Sequence, residues 1–468
     1  MRRRLIETLG SPWPFVVAAL AVLTVAAASA PLATALVVIS GALIAVLVWR
    51  YGGTEGLWYL FLALIPFREP LSLDVHGTVS LYFGDLLLLV LVVSVAYTSG
   101  VSDLWRRSLF FKIGVAIVGL SVVGLFTATR FFWGVASIYR LVGQLAAFYV
   151  ASHVVRSPRE AVRSLLAVLL GLVPSIGYGF YQSALPFETE LPDWASKITA
   201  WDAAGERHIR VFSTFDHTLH FSHYLSICLG IALGLAVSRI SRGLRFLCLS
   251  IGAAAAYVGL FTYSIGGVLG VLAGAVTVLV IRWRRAAVFA VPLLLVALLV
   301  ISPAPLTTKV ERVLSGETAA TAERLMTSGQ ALTILRDRPI TGVGWGGIRS
   351  SLEHEYRVAR GTAIAYAAEN YFLQRAMALG FPGLVLYIVL FFMFFRRALR
   401  ARGDAPDAPW PRVAIIAGAA AFYMQAQAIP GTQATANYVL WILFALVERM
   451  YADSSVRADS GRTAPCSA

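Results

Sequence analysis

The stretch that decides the fold is Ala286–Ile301, AAVFAVPLLLVALLVI, which runs into the polar segment Ser302–Asn370 and is answered by a second apolar run, Tyr371–Phe395. Backbone polar groups find no water in hydrocarbon, so long apolar runs of this kind read as membrane helices. Between the two runs lie Arg324, Arg336-Asp337-Arg338-Pro339, the glycine-rich Thr341–Gly347, then Arg349, Arg357, Arg360 and Glu369-Asn370. A polar, arginine-rich loop held between membrane helices is therefore the centre of the chain.

The rest of the sequence repeats the apolar pattern. Hydrophobic residues make up 58% of the 468 and charged ones 14%, and the mean hydropathy is +0.74. Apolar runs fall at 14–29, 32–49, 56–66, 81–97, 109–127, 133–151, 164–183, 218–238, 244–263, 266–281, 286–302, 370–395, 413–429 and 432–448. That makes an all-α, polytopic transmembrane bundle of about twelve to fourteen spans. The run at 56–66 is too short to cross upright and is expected to be tilted, partly re-entrant or covered by its neighbours. Arg2-Arg3-Arg4 before an apolar run resembles a signal peptide, but the many later spans favour an uncleaved first helix. Cys228, Cys248 and Cys466 share no metal-type spacing, and no disulfide framework is expected.

The net charge of +14 is placed by topology and not by nucleic-acid binding. With the N-terminus inside, Arg50, Arg106/Arg107, Arg156/Arg159/Arg163, Arg239/Arg242/Arg245, Arg282/Arg284/Arg285, Arg396–Arg412 and Arg449/Arg457/Arg462 all fall on one side. Both termini are then cytoplasmic, and the long polar loops 184–217 and 302–370 both lie outside. The expected division is a bundle over 1–301 containing the first loop, the partly helical outer loop 302–370, C-terminal membrane helices over 371–448 and a disordered tail over 449–468. Glycines at 266, 270 and 274 share a helix face and suit close helix packing.

The candidate chemistry sits in the two loops. Arg210 precedes a membrane helix at the outer face, where a guanidinium can pair with two phosphate oxygens. His217, His220 and His223 are spaced by three and do not form the His-Glu-x-x-His pattern of a zinc helix, so interfacial hydrogen bonding is favoured over a metal. The arginines of 302–370 exceed what solubility needs on the side where positive charge is disfavoured. Gly342 and Gly344 open a turn that is either a phosphate cradle or a docking turn; no Gly-Lys-Ser/Thr follows, which rejects a nucleotide loop. Glu369 stands at a helix entry, suited to the helix dipole or, half-buried, to proton abstraction, with Asn370 beside it.

Arg210–Phe215, Thr262–Gly267, the path from Arg324 to Pro339–Gly346, Glu369–Gln374 and Leu379–Leu384 together resemble the O-antigen ligase/O-antigen polymerase superfamily of bacterial membrane glycosyltransferases. The resemblance implies a donor glycan on undecaprenyl diphosphate and a glycan or lipid acceptor within the membrane surface, with a chain-length regulator as a further candidate partner. It implies inverting transfer without metal, nucleotide or other cofactor, at the outer face of the inner membrane. It assigns Arg210 and Glu369 the catalytic roles and Arg324, Arg338, Arg349, Asn370, Gly342, Gly344 and His217 the substrate contacts. Ligases of the family typically carry His-Asn where this chain has Glu369-Asn370, and an arginine where it has Ile265; both departures favour a repeat-unit polymerase over a ligase. A lipid-linked oligosaccharide flippase is the alternative of another class. It would place ionisable groups along a path through the bundle, where Arg140 is the clearest mid-segment charge.

Overall fold

The computed structural model describes residues 32–462 except 68–71, 76–78, 100–101, 187–188, 190–198, 202–206, 286, 288–292, 294–302, 316–318, 357–367, 369, 402–409 and 429–433. The expected spans at 14–29 and 286–302, and Cys466, lie outside the described residues. Within them the chain is an all-α bundle with two small hairpins, Ser72–Val75 (β1) with Val79–Tyr82 (β2) and Thr199–Trp201 (β3) with Arg207–Ile209 (β4).

The helices are Leu32–Leu64 (α1), Phe83–Ser99 (α2), Ser102–Arg107 (α3), Leu109–Val123 (α4), Phe131–Val154 (α5), Pro158–Ser183 (α6), Thr218–Ala236 (α7), Arg242–Leu260 (α8), Ile265–Arg282 (α9), Ala304–Leu314 (α10), Ala319–Asp337 (α11), Tyr371–Arg400 (α12), Arg412–Ala426 (α13) and Ala434–Arg462 (α14). Among the described residues seven helices are long and apolar enough to cross a membrane, with Phe83–Thr98 and Arg412–Ala426 as shorter apolar helices. This is a multi-pass membrane protein. Basic residues at the ends of α12, α13 and α14 meet at one end of the bundle, where Arg449 Nε also donates to Val155 O at 3.1 Å. At the basic end the same residues tie helices together. Arg397 pairs with Glu448, and Arg412 donates to Ala398 O (2.9 Å) and Leu399 O (2.6 Å).

Two of the helical units are hairpins. In α1, Gly53 has φ 59°, and a Cβ on Gly56 would meet Val48 O at 3.0 Å. In a continuous helix those residues stand about 12 Å apart, so the chain reverses there into the two runs read separately at 32–49 and 56–66. The short second arm is covered by its neighbours, with Leu57, Trp58, Phe61 and Leu62 buried. The expected single span at 370–395 is corrected in the same way. Gly380 has φ 67°, and the rings of Tyr371 and Phe391 lie 6.0 Å apart, those of Phe372 and Phe391 5.5 Å. A straight helix would hold them about 30 Å apart. Tyr371–Leu379 is therefore a short arm folded back on Phe381–Arg400, which alone is long enough to cross. Periodicity does not reveal this, because both arms are apolar and only the backbone at one glycine differs.

The guanidinium of Arg375 sits between the arms, its carbon 4.1 Å from the Tyr371 ring centre, 4.8 Å from Trp345 and 5.1 Å from Tyr387. Aromatic faces carry negative potential, so such a cage compensates a cation where water is excluded.

The centre of the bundle is α7, α9 and α13, with α14 lying against α5. The three meet along a seam of small residues. A Cβ on Gly234 would fall 2.3 Å from Ala414 Cα, and one on Gly230 2.6 Å from Ala417 O. Gly270 and Gly274 approach Ala421 O and Gly230 Cα, as the glycine stripe at 266, 270 and 274 predicts. Cys228 and Cys248 are buried and free.

Gly234→Val is expected to cost about 3 kcal/mol or more, because neither backbone can give way. Gly119→Ala, where a Cβ meets open space, should leave the melting temperature unchanged or slightly raised. Thermal melts of the two variants purified in detergent check this; equal melting would remove the seam as the contact that holds α7 to α13. Gly380→Ala combines a positive φ with a Cβ 2.5 Å from Pro339 O and is expected to melt well below the parent.

Candidate functional site

Three membrane helices that start at the loop end are capped by side chains, and these caps organise the site. His217 Nδ1 accepts from the Leu219 amide (3.0 Å), Ser264 Oγ from Gly267 (3.2 Å), and Asn370 Oδ1 from Phe372 (2.9 Å) and Leu373 (3.1 Å). Each cap satisfies amides that have no partner within their own helix. The caps are then stitched to one another. Arg210 Nε donates to Thr262 O (2.9 Å) and Val211 N to Phe261 O (3.0 Å), which fastens the strand leading into α7 to the α8–α9 turn. Gly266 faces Gln425 and Ala428, and Asn370 Nδ2 donates to Gln427 Oε1 at 3.2 Å. Arg210, Ser264 and Asn370 thus belong to one continuous patch, although 160 residues separate the first from the last.

Both loops that make the Arg210 contact hold a non-glycine residue at positive φ, Ser213 at 56° and Tyr263 at 47°. Ser213 is kept there by its surroundings. Its amide and that of Phe212 donate to Gln182 Oε1 (2.7 and 3.3 Å), and Thr214 Oγ1 donates to Pro66 O (2.7 Å). Strain of this kind persists only where neighbours over-determine it.

Beside Arg210 lies a compact charged group. His220 Nδ1 is hydrogen-bonded to Asp216, and the His217 and His220 rings are 5.5 Å apart. Burial raises the Asp216 carboxyl, but His220, His217 and Arg140 outweigh it and hold the group below its ordinary value, so it is ionised at neutral pH. Burial, together with His220 and Arg210 and against Asp216, pushes His217 down to about 4, which keeps it neutral. Since His217 Nδ1 accepts the Leu219 amide, the ring proton sits on Nε2. Arg140 lies on α5, which begins with the exposed aromatic residues Phe131, Phe132 and Trp133. On the same helix Tyr139 donates to Asp85 Oδ2 (2.8 Å), while Tyr438 donates to Asp85 Oδ1 (3.2 Å), a polar knot joining α2, α5 and α14. The sequence signals for these residues were an arginine and an aspartate inside apolar runs.

The glycine turn has a docking geometry. Gly342 and Gly344 have φ of 61° and 70°. The Val343 amide donates to Met377 O (2.8 Å), that of Gly344 to Ala378 O (3.1 Å), and Phe381 N to Pro339 O (2.6 Å). A Cβ at Gly342 would meet Met377 O at 2.3 Å, and one at Gly344 would meet Gly124 O at 2.2 Å. The turn thus fills the corner between the α12 hairpin and the end of α4, with its amides at 343 and 344 already engaged. Arg338 is paired with Glu355 (2.8 Å) and Arg349 with Glu353 (2.8 Å) on the surface of the loop. Arg324 belongs to α11, but its side chain, like all of Glu369, Arg357 and Arg360, lies outside the described residues. Asn370 is occupied as a cap and as the anchor to Gln427.

The family model for O-antigen ligase matches residues 247–388. The matched stretch runs from within α8 through the Ser264 cap, the glycine turn and the α12 hairpin, while Arg210 and the Asp216–His220 pair precede it. None of the curated proteins matches the chain. Residues 247–388, which hold the glycine turn and the hairpin that receives it, are thus similar to the O-antigen ligase family.

Proposed function

We propose that the protein joins glycan units carried on undecaprenyl diphosphate at the outer face of the cytoplasmic membrane, acting as a repeat-unit polymerase of an O-antigen or exopolysaccharide. The observation that carries this reading is the convergence of Arg210, the Ser264 cap and the Asn370 cap on one patch at the loop end of the bundle. With both termini cytoplasmic, that end faces outward, where basic residues are otherwise sparse. Arg210, locked through Nε to Thr262 O, neutralises charge developing on the lipid diphosphate as it leaves. Glu369, next to the Asn370 cap, takes the proton of the acceptor hydroxyl. The hydroxyl oxygen attacks C1 from the face opposite the diphosphate, so the anomeric centre inverts; arginine supplies the positive charge for which other transferases use a metal. Arg324, on helix α11, belongs to the same electropositive loop. Arg338 and Arg349 order that loop through their glutamate pairs, and the glycines dock it.

Arg210→Ala and Glu369→Gln should each reduce transfer by about a hundredfold or more, with membrane insertion unchanged. Arg210→Lys keeps the charge but loses the fork that spans Thr262 O and the phosphate, and an intermediate rate is expected. Complementation of a deletion strain, with protein level in the membrane measured in parallel, checks the series. Full activity of Arg210→Ala or Glu369→Gln would remove the corresponding role. In the deletion strain itself, mass spectrometry should find single repeats on the lipid carrier, open to periplasmic enzymes. Long lipid-linked polymers would instead identify a ligase, and single repeats trapped on the cytoplasmic face a flippase.

A further inference from the structure

We infer that the corner formed by the glycine turn, the α4–α5 turn and the tip of the α12 hairpin is an interfacial anchor, seated at the boundary between headgroups and acyl chains of the loop-end leaflet. Its partner is the bilayer itself, and the inference stands apart from any role of Arg210 or Glu369.

Three chain reversals meet at this corner, and each presents a large apolar side chain where a turn in water would carry a polar one. Phe126, after α4, is 90% exposed, Ile340 in the glycine turn 70%, and Phe381 at the hairpin tip 57%. Backbone contacts hold the three reversals together. Phe381 N donates to Pro339 O at 2.6 Å. Gly344 packs on Gly124 O and Gly346 on Arg130 O, with no room for a Cβ at either. The first turn of α5 adds Phe131, Phe132 and Trp133, each half exposed or more. Apolar surface gathered in this way marks a contact with a membrane or another apolar partner, and a ring such as that of Trp133 favours the level where a membrane helix meets the headgroups.

Two further observations identify lipid as what covers the corner. The patch continues into the outer sides of two apolar helices long enough to cross a membrane. Along α12, Val385, Ile388, Val389 and Phe392 follow Phe381 as exposed residues at helical spacing, and on α4 Val122 and Val123 precede Phe126. Charge begins directly beyond the patch. Arg338, next but one to Ile340, pairs with Glu355 at 2.8 Å, and Arg349 with Glu353 at 2.8 Å, both on the exposed surface of the loop. An apolar rim bordered by exposed ion pairs fits the change from hydrocarbon to headgroups. Docking of the glycine turn therefore does more than fill a gap between helices. It sets Ile340 of the polar loop into the lipid surface and keeps that loop on the membrane.

The test places a nitroxide spin label at single added cysteines in the full-length protein in lipid nanodiscs. Cys466 is replaced by serine, while Cys228 and Cys248 stay, buried away from the labelling reagent; protein with no added cysteine is the blank. The label sites are Phe126→Cys, Ile340→Cys and Phe381→Cys, with Phe392→Cys as the hydrocarbon reference and His354→Cys, beside the exposed ion pairs, as the aqueous one. Oxygen concentrates among acyl chains and a neutral nickel chelate in water, so the ratio of relaxation by the two reagents reports depth. All three corner labels are expected to favour oxygen, as at Phe392→Cys, with the order reversed at His354→Cys. Labels at Ile340→Cys and Phe381→Cys as open to nickel as that at His354→Cys would put the corner in water and overturn the anchor. Labels shielded from both reagents would overturn it too, since a second copy or a protein partner would then cover the patch. The replaced corner side chains lie outside the core, and the elution profile and melting temperature of each labelled variant verify its fold. No activity is measured, so failure of the anchor and failure of the transferase reading are separate results.

Discussion

The reversal of α12 at Gly380 is the constraint on which the loop end of the molecule depends. Folding Tyr371–Leu379 back on Phe381–Arg400 interrupts the helical ladder and frees backbone groups close to the membrane. An unsatisfied amide or carbonyl there costs several kcal/mol. The Pro339–Gly344 turn meets that demand: Met377 O and Ala378 O accept from Val343 and Gly344, and Phe381 N donates to Pro339 O. The hairpin and the glycine turn therefore require each other. The glycines at 342, 344 and 380 mark the points where backbone must touch backbone at φ values that other residues adopt only under strain.

The same hairpin carries the α12 N-terminus back down against α13, so that Asn370 reaches Gln427. A straight 30-residue helix would have left its cap far out in solvent. Arg375 holds the two arms in register from inside its aromatic cage, and its burial makes the closed hairpin the arrangement in which the charge is compensated. On the opposite side of the patch, the positive φ of Ser213 and Tyr263 stores on the order of 1–3 kcal/mol at each residue. At Ser213 that strain is borne by the Gln182, Ser175 and Pro66 contacts, three residues from Arg210.

Rigidity of the scaffold explains why so few residues can define a site here. The seam of Gly230, Gly234, Gly270 and Gly274 brings helix backbones into contact, and such contacts cannot slide without a clash. The loop ends of α7, α9 and α13 are fixed relative to one another by that seam. Charged groups mounted on them, Asp216 and His220 among them, keep their spacing without long-range salt bridges.

The sequence by itself determined the membrane class, the all-α bundle, the glycine packing stripe and the family motifs. Each of these depends on local composition or on a period of a few residues, and hydrophobic burial reads composition directly. It marked Arg210, His217 and Asn370 because they stand at polar-to-apolar boundaries, where helix caps must be. Tertiary structure alone decided that 370–395 is a hairpin, that Gly342 and Gly344 dock, that Arg338 and Arg349 are paired to glutamates, and that Tyr139 and Tyr438 meet on Asp85. These outcomes hang on contacts between residues tens to hundreds of positions apart. No local pattern encodes them, because the energy that selects them, satisfaction of buried backbone groups and charges, exists only once the helices have packed.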